Sequence, residues 1–173
     1  MAPESSAGAA LESQRQPTPR ADDGELATAL AFLDFARACL LKKVEGLDEE
    51  QLRRRLVVSE TTLLGLVQHC AAGERWWFAH HVGGDPAYAD VDFSMVVPPE
   101  RSAAEVVADY RAAVEEADRY IAAAGSPETL TVVPVDGERK TLRWVLAHKT
   151  SELARHVGHA DILREQVDGV TGR

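Results

Sequence analysis

The stretch 141-TLRWVLAHKTSELARHVGHADILREQVDG-169 decides how this chain reads. Thr141 has the chemistry of a helix N-cap and Gly169 stands just past a last turn, so the spacing predicts one long helix. Leu142, Leu146, Leu153 and Val157 lie to one side of it. Thr150, Ser151, Ala154, Asp161 and Glu165 lie on the far side. Along the border run His148, Glu152, His156 and His159, at i, i+4, i+8 and i+11. At ~100° per residue the four side chains project within an arc of about 80°. Val145 and Leu163 share that direction, so the stripe is expected to lie at least partly inside the protein. Buried ionisable groups are costly unless they are paired or bound to a metal. Imidazole and carboxylate are common ligands of divalent transition metals.

Three more long helices are legible upstream. The first spans about 24–45, with Asp22 or Asp23 as N-cap, Leu26, Leu30, Leu33, Leu40, Leu41 and Val44 on its apolar face, and Lys42 and Lys43 at its C-terminal dipole. Gly46 stops it, and 47-LDEEQLRRRL-56 reads as a short helical turn begun by Asp48. The second is read as continuous from Ser59 or Thr61 to Val82, ended by Gly83-Gly84. The loop 83-GGDPAYADVDFSMVVPPE-100 is long enough to be a lid or a pocket wall. The third helix opens with the capping-box spacing of Ser102 and Glu105 and runs to Ala124. Asp136-Gly137 marks a turn, a candidate small hairpin before the fourth helix. This order, without a convincing sheet, predicts an all-α four-helix bundle over 23–173. Residues 1–22, rich in Ala, Ser, Pro and Gln, read as a disordered tail in which Leu11 is a possible anchor.

Composition narrows the function classes. The chain has 173 residues, 45% hydrophobic and 27% charged, with a net charge of −9. No basic cluster tracks phosphates, so nucleic acid is not an expected partner. No apolar run is long enough to span a membrane and the N-terminus has no apolar signal region. Cys39 and Cys70 lie in helical patterns and form no disulfide framework. A reduced, cytoplasmic protein with buried thiols is the expectation.

A metal site between bundle helices needs a ligand from a facing helix. His69 is the obvious one, set among Leu66, Val67, Cys70 and Trp77, with Thr62, Gly65 and Gly73 close to its direction. Small neighbours leave room for a metal and a substrate. Trp76 and Trp77, with Thr62, are the expected pocket residues. Glu74 lies about 140° from His69, which suits a salt-bridge partner or a supporting role, and Cys70 lies about 100° away, which suits a packing residue, with a place at the edge of such a site as the alternative. His80 and His81 read as exposed partners of the helix C-terminus. Each signal taken singly also has a plain structural meaning. A lone inward histidine is commonly hydrogen-bonded core, and a His/Glu stripe also suits a solvated face or an inter-helix hydrogen-bond network.

At these residues the chain resembles the DinB-like superfamily, and within it the branch once called a domain of unknown function, DUF664. The segment 61-TTLLGLVQHCAAGERWWF-78 looks like that branch's second-helix signature, and 141–169 looks like its fourth. The resemblance covers about residues 25–170. It implies a DinB-like four-helix bundle, commonly a homodimer, with an inter-helix metal site that often holds zinc or nickel. The implied ligands are His69, then Glu152 in place of the family's first histidine of an HxxxH pair, then His156. A rival set uses His159 instead of Glu152. His148 and His159 would otherwise orient ligands or shuttle protons.

Two histidines and one glutamate leave a coordination position open for water or substrate. Relatives in the resembled superfamily include transferases and isomerases that use mycothiol, bacillithiol or glutathione. The expectation is therefore a divalent-metal-dependent enzyme on a small molecule, specifically a mycothiol-type S-transferase. Alternatives are a metal-dependent hydrolase, or a non-catalytic bundle that binds a metal or small ligand in stress response.

Overall fold

The computed structural model describes residues 16–171. Most of the expected tail, including Leu11, lies outside the described residues. Helix α1 is Glu25–Lys42, α2 is the short Glu49–Arg53, α3 is Leu63–Glu74, α4 is Ala103–Ala124 and α5 is Leu142–Asp168. A π-helical segment, Arg75–Val82, continues α3, and Pro86–Tyr88 forms a 3-10 turn. Helix α1 packs chiefly on α5, while α3 and its π extension pack on α4. A contact between α3 and α5 joins the two pairs. Leu40, Leu64, Val67, Val106, Leu142 and Leu153, all shielded from solvent, sit where these faces meet. Among the described residues no helix is long and apolar enough to cross a membrane.

The helix ends follow local chemistry. Asp48 and Ser102 each complete a capping box, with Gln51 and Glu105 respectively. Thr62 and Thr141 accept from the backbone N–H of Gly65 and Trp144. Helices α4 and α5 end at Gly125 and Gly169, both left-handed. Helix α1 departs from expectation, because its N-cap is Gly24, with no side-chain cap, and neither Asp22 nor Asp23 fills that role. The segment before α5 forms two isolated bridges, Leu130 with Thr141 and Val135 with Glu138, around a turn in which Asp136 and Gly137 both have positive φ.

Three buried charges tie the helices together. Lys43 does not stand free at the end of α1 as its position suggests. It is buried and pairs with Asp161 of α5 at 2.6 Å. Arg164 of α5 donates to the carbonyls of Lys43 and Glu45, which satisfies acceptors left over at the end of α1. Arg37 of α1 grips Glu74 at the end of α3 through two hydrogen bonds, of 3.2 and 2.6 Å.

The 83–100 loop is pinned rather than free. Gln68 donates to the carbonyls of Ser94 and Val96, and Arg53 donates to that of Val97. Gly65 permits the closest approach, since a Cβ there would lie 2.1 Å from the Met95 carbonyl oxygen. Gly65→Ala therefore forces the loop off α3. Overpacking of this kind costs about 1–3 kcal/mol, more than the ~1 kcal/mol that alanine contributes to helix propensity. Urea unfolding is expected to show net destabilisation, and an unchanged midpoint would mean that the loop yields freely.

Candidate metal centre

The contact between α3 and α5 brings His69, Glu152 and His156 together, with one ligand atom from each lying within 4.8 Å of the others. Helical periodicity explains the pair on α5, because residues i and i+4 share a face. Glu152 Oε1 lies 3.7 Å from His156 Nε2 and 3.9 Å from His69 Nε2 across the interface. The two imidazole rings meet edge to face at 4.8 Å between centroids. All three side chains are only partly exposed.

The protonation pattern suits a cation. His69 Nδ1 lies 2.8 Å from the Phe93 carbonyl oxygen, which can only accept, so Nδ1 carries the proton and Nε2 presents its lone pair to Glu152. Burial lowers the pKa of His69 below the usual imidazole value and favours that neutral form. Burial alone would raise the Glu152 carboxyl. The adjacent His156 and the Lys149 ammonium outweigh it and bring the pKa down to about 2. His156 has a buried Nδ1 with no hydrogen-bond partner among the described residues, while its Nε2 faces Glu152 Oε1.

These residues fit a zinc-class ion. Metal–ligand bonds of about 2.1 Å in tetrahedral array place donor atoms about 3.4 Å apart. The 3.7 and 3.9 Å from Glu152 to the two imidazoles need only a small contraction, whereas the widest separation in the set, up to 4.8 Å, needs a larger one. Two neutral imidazoles and one carboxylate form a borderline donor set of the kind that leaves one position for an external ligand.

Phe93 of the long loop packs its ring 5.6 Å from His69 and 5.9 Å from Trp76, so that loop is a wall of the site. Trp77 lies 4.5 Å from His148, which stacks parallel on Trp144 at 5.0 Å. His148 is exposed within this aromatic group. His159 is exposed and lies 5.8 Å from the His156 ring. Neither belongs to the close cluster of donor atoms. Thr62 uses its hydroxyl as a helix cap and lines a separate cleft with Arg53, Arg55 and Met95.

The family model described as mycothiol-S-transferase matches residues 28–169. The chain belongs to the mycothiol-S-transferase family. That match spans all three clustered residues and every helix of the bundle except the first three residues of α1, in accord with the DinB-like resemblance. No curated protein matches the chain.

Several features of this mycothiol-S-transferase family member correct the sequence reading, while Glu74 and Cys70 take the structural roles expected of them. The second helix is not α-helical to its end. Gly83 N–H donates to the Phe78 carbonyl, an i to i+5 bond of the π type, and the wider turn re-aims the Trp76–His81 face. His81 is buried rather than exposed, and its Nδ1 donates to the Val133 carbonyl. His80 is partly buried and stacks on Trp76. Glu74 is the salt-bridge partner of Arg37, fully buried. Cys70 is wholly buried, and burial pushes its thiol up to about 12, which removes it as a nucleophile. Two participants had no sequence signal: the backbone carbonyl of Phe93, and Lys149, whose Nζ lies 3.4 Å from Glu152 Oε2.

Proposed function

We propose that this protein is a metal-dependent S-transferase that joins a small thiol of the mycothiol type to an electrophile. His69, Glu152 and His156 are the proposed ligands of one divalent ion, most suitably zinc, with nickel also compatible with the donor set. The observation that carries the reading is the convergence of these three donors on one point beside an aromatic wall, in a chain of this family. A bound divalent cation supplies Lewis acidity that lowers the pKa of a coordinated thiol.

The chain's own residues do the rest. The Phe93 carbonyl fixes the His69 tautomer. Glu152 stays ionised across the physiological range. Phe93 and Trp76 form one apolar side of the site, with Trp77 alongside His148, and such a wall shields a thiolate from water and seats the electrophile. In the transfer, the thiolate sulfur forms a bond to the electrophilic carbon. The leaving group departs with its electron pair, and the thiol proton passes to solvent. The homodimer belongs to the same reading and rests on the family resemblance, whereas the proposed cytoplasmic setting rests on the two buried, unpaired cysteines.

Zinc-loaded and metal-stripped protein incubated with a thiol and a haloaromatic electrophile are distinguished by mass spectrometry. A thioether adduct formed only with the loaded protein is expected. Absence of any metal-dependent adduct across several low-molecular-weight thiols would overturn the transferase reading, and water-derived product instead would identify a hydrolase.

A further inference from the structure

Among the described residues Lys149 is the one lysine paired with the donor cluster, and its side chain is wholly buried. It lies on α5, three residues before Glu152, and reaches toward α3 at Gly73. A Cβ at Gly73 would stand 2.5 Å from Lys149 Nζ, so the missing side chain makes the space that the ammonium fills. Its hydrogen-bond contact among the described residues is Glu152 Oε2, at 3.4 Å. The other carboxylate oxygen, Oε1, is the atom that His69 Nε2 and His156 Nε2 face. The two oxygens of one carboxylate are thus divided, one toward a buried cation and the other toward two imidazoles.

We propose that Lys149, lodged against Gly73, is a positioning residue that occupies Glu152 Oε2, so that Glu152 offers a metal Oε1 alone. This rests on the metal reading above and deepens it. A carboxylate left to turn can give both oxygens to one ion. Holding one back keeps a coordination position for an external ligand. It also fixes the carboxylate before any ion arrives, in the way that groups behind a ligand raise metal affinity. The charge of Lys149 repels a cation as well, so the proposal requires its hold on Glu152 to outweigh that repulsion.

The test uses full-length Lys149→Met and Gly73→Ala. Methionine keeps the length and apolar stem of lysine and removes the donor. Alanine at 73 leaves Lys149 in the chain but takes the space of its ammonium. Zinc affinity is measured by competition with a chromogenic chelator, and the visible spectrum is recorded with cobalt(II) bound. Lys149→Met is expected to bind zinc about 10- to 100-fold more weakly. Its cobalt bands should lose intensity as a second carboxylate oxygen enters, with the helical circular dichroism retained. Gly73→Ala should shift both readouts in the same direction. Unchanged or tighter zinc binding by folded Lys149→Met overturns the proposal. Should that variant fail to fold, an unchanged cobalt spectrum in Gly73→Ala overturns it. Wild-type protein that binds neither ion defeats the metal reading itself, a result distinct from either of these.

Discussion

His69→Ala and His156→Ala proteins, produced without a histidine tag, are expected to fold and to emerge almost free of zinc. The proposed site has three donors from the chain, and no spare histidine or carboxylate joins their close cluster among the described residues. Zinc held by four protein ligands gains about 10–16 kcal/mol at neutral pH, so one ligand accounts for roughly 3 kcal/mol, or on the order of 100-fold in affinity. Both imidazoles lie at the partly exposed edge of the α3–α5 contact, so truncation leaves the main core intact. Unfolding midpoints of the metal-stripped proteins should therefore stay near that of wild type, while zinc content falls. His159→Ala serves as the control. Its ring lies 5.8 Å from that of His156, outside the cluster, and full zinc retention is expected. Full zinc content in both His69→Ala and His156→Ala would refute the assignment, and zinc loss in His159→Ala would favour the rival ligand set.

Glu74→Ala is expected to give a large loss of stability without touching the proposed metal ligands. Glu74 has no exposed surface, and its carboxylate receives two hydrogen bonds from Arg37, itself buried. Removing one member of a buried ion pair leaves an uncompensated charge and costs about 3–5 kcal/mol. Asp34 and Asp118 also hold Arg37, but both are more than half exposed and offset little of that cost. The double variant Arg37→Met, Glu74→Leu should recover most of the loss, because replacing both charges with apolar groups avoids the desolvation penalty. Chemical unfolding of the wild type, the single variant and the double variant measures both effects. A Glu74→Ala protein within about 1 kcal/mol of wild type would show that water or Asp118 reaches Arg37 and that the pair is not isolated.

The residues differ in how far the chain order reveals them. Glu152 and His156 are legible together because four residues is about one helical turn, and His69 is legible as the inward imidazole of a different helix. The capping boxes at Asp48 and Ser102 are equally local, since donor and acceptor lie within four residues. Arg37, Lys43 and Lys149 mislead, because long charged side chains are ordinarily solvated. Their burial depends on Glu74, Asp161 and Glu152, of which the first two lie on other helices. The π-helical segment is invisible for a related reason. A π-helical run is rare, and nothing in the residue order of Arg75–Val82 distinguishes it from an α-helix.

By itself, the sequence determined four long helices, most of their caps, their apolar faces and a His/Glu stripe facing an inward His69, all of which depend on neighbours within a turn or two, while the choice of Glu152 and His156 from that stripe came from the family resemblance. Only the tertiary structure decided that His69 meets Glu152 and His156, that the Phe93 carbonyl orients the His69 ring, and that Lys149 lies behind Glu152 in the space left by Gly73. Each of these joins residues or backbone groups far apart in the chain. Their distances are set by how α3, α5 and the 83–100 loop pack, which no local periodicity encodes.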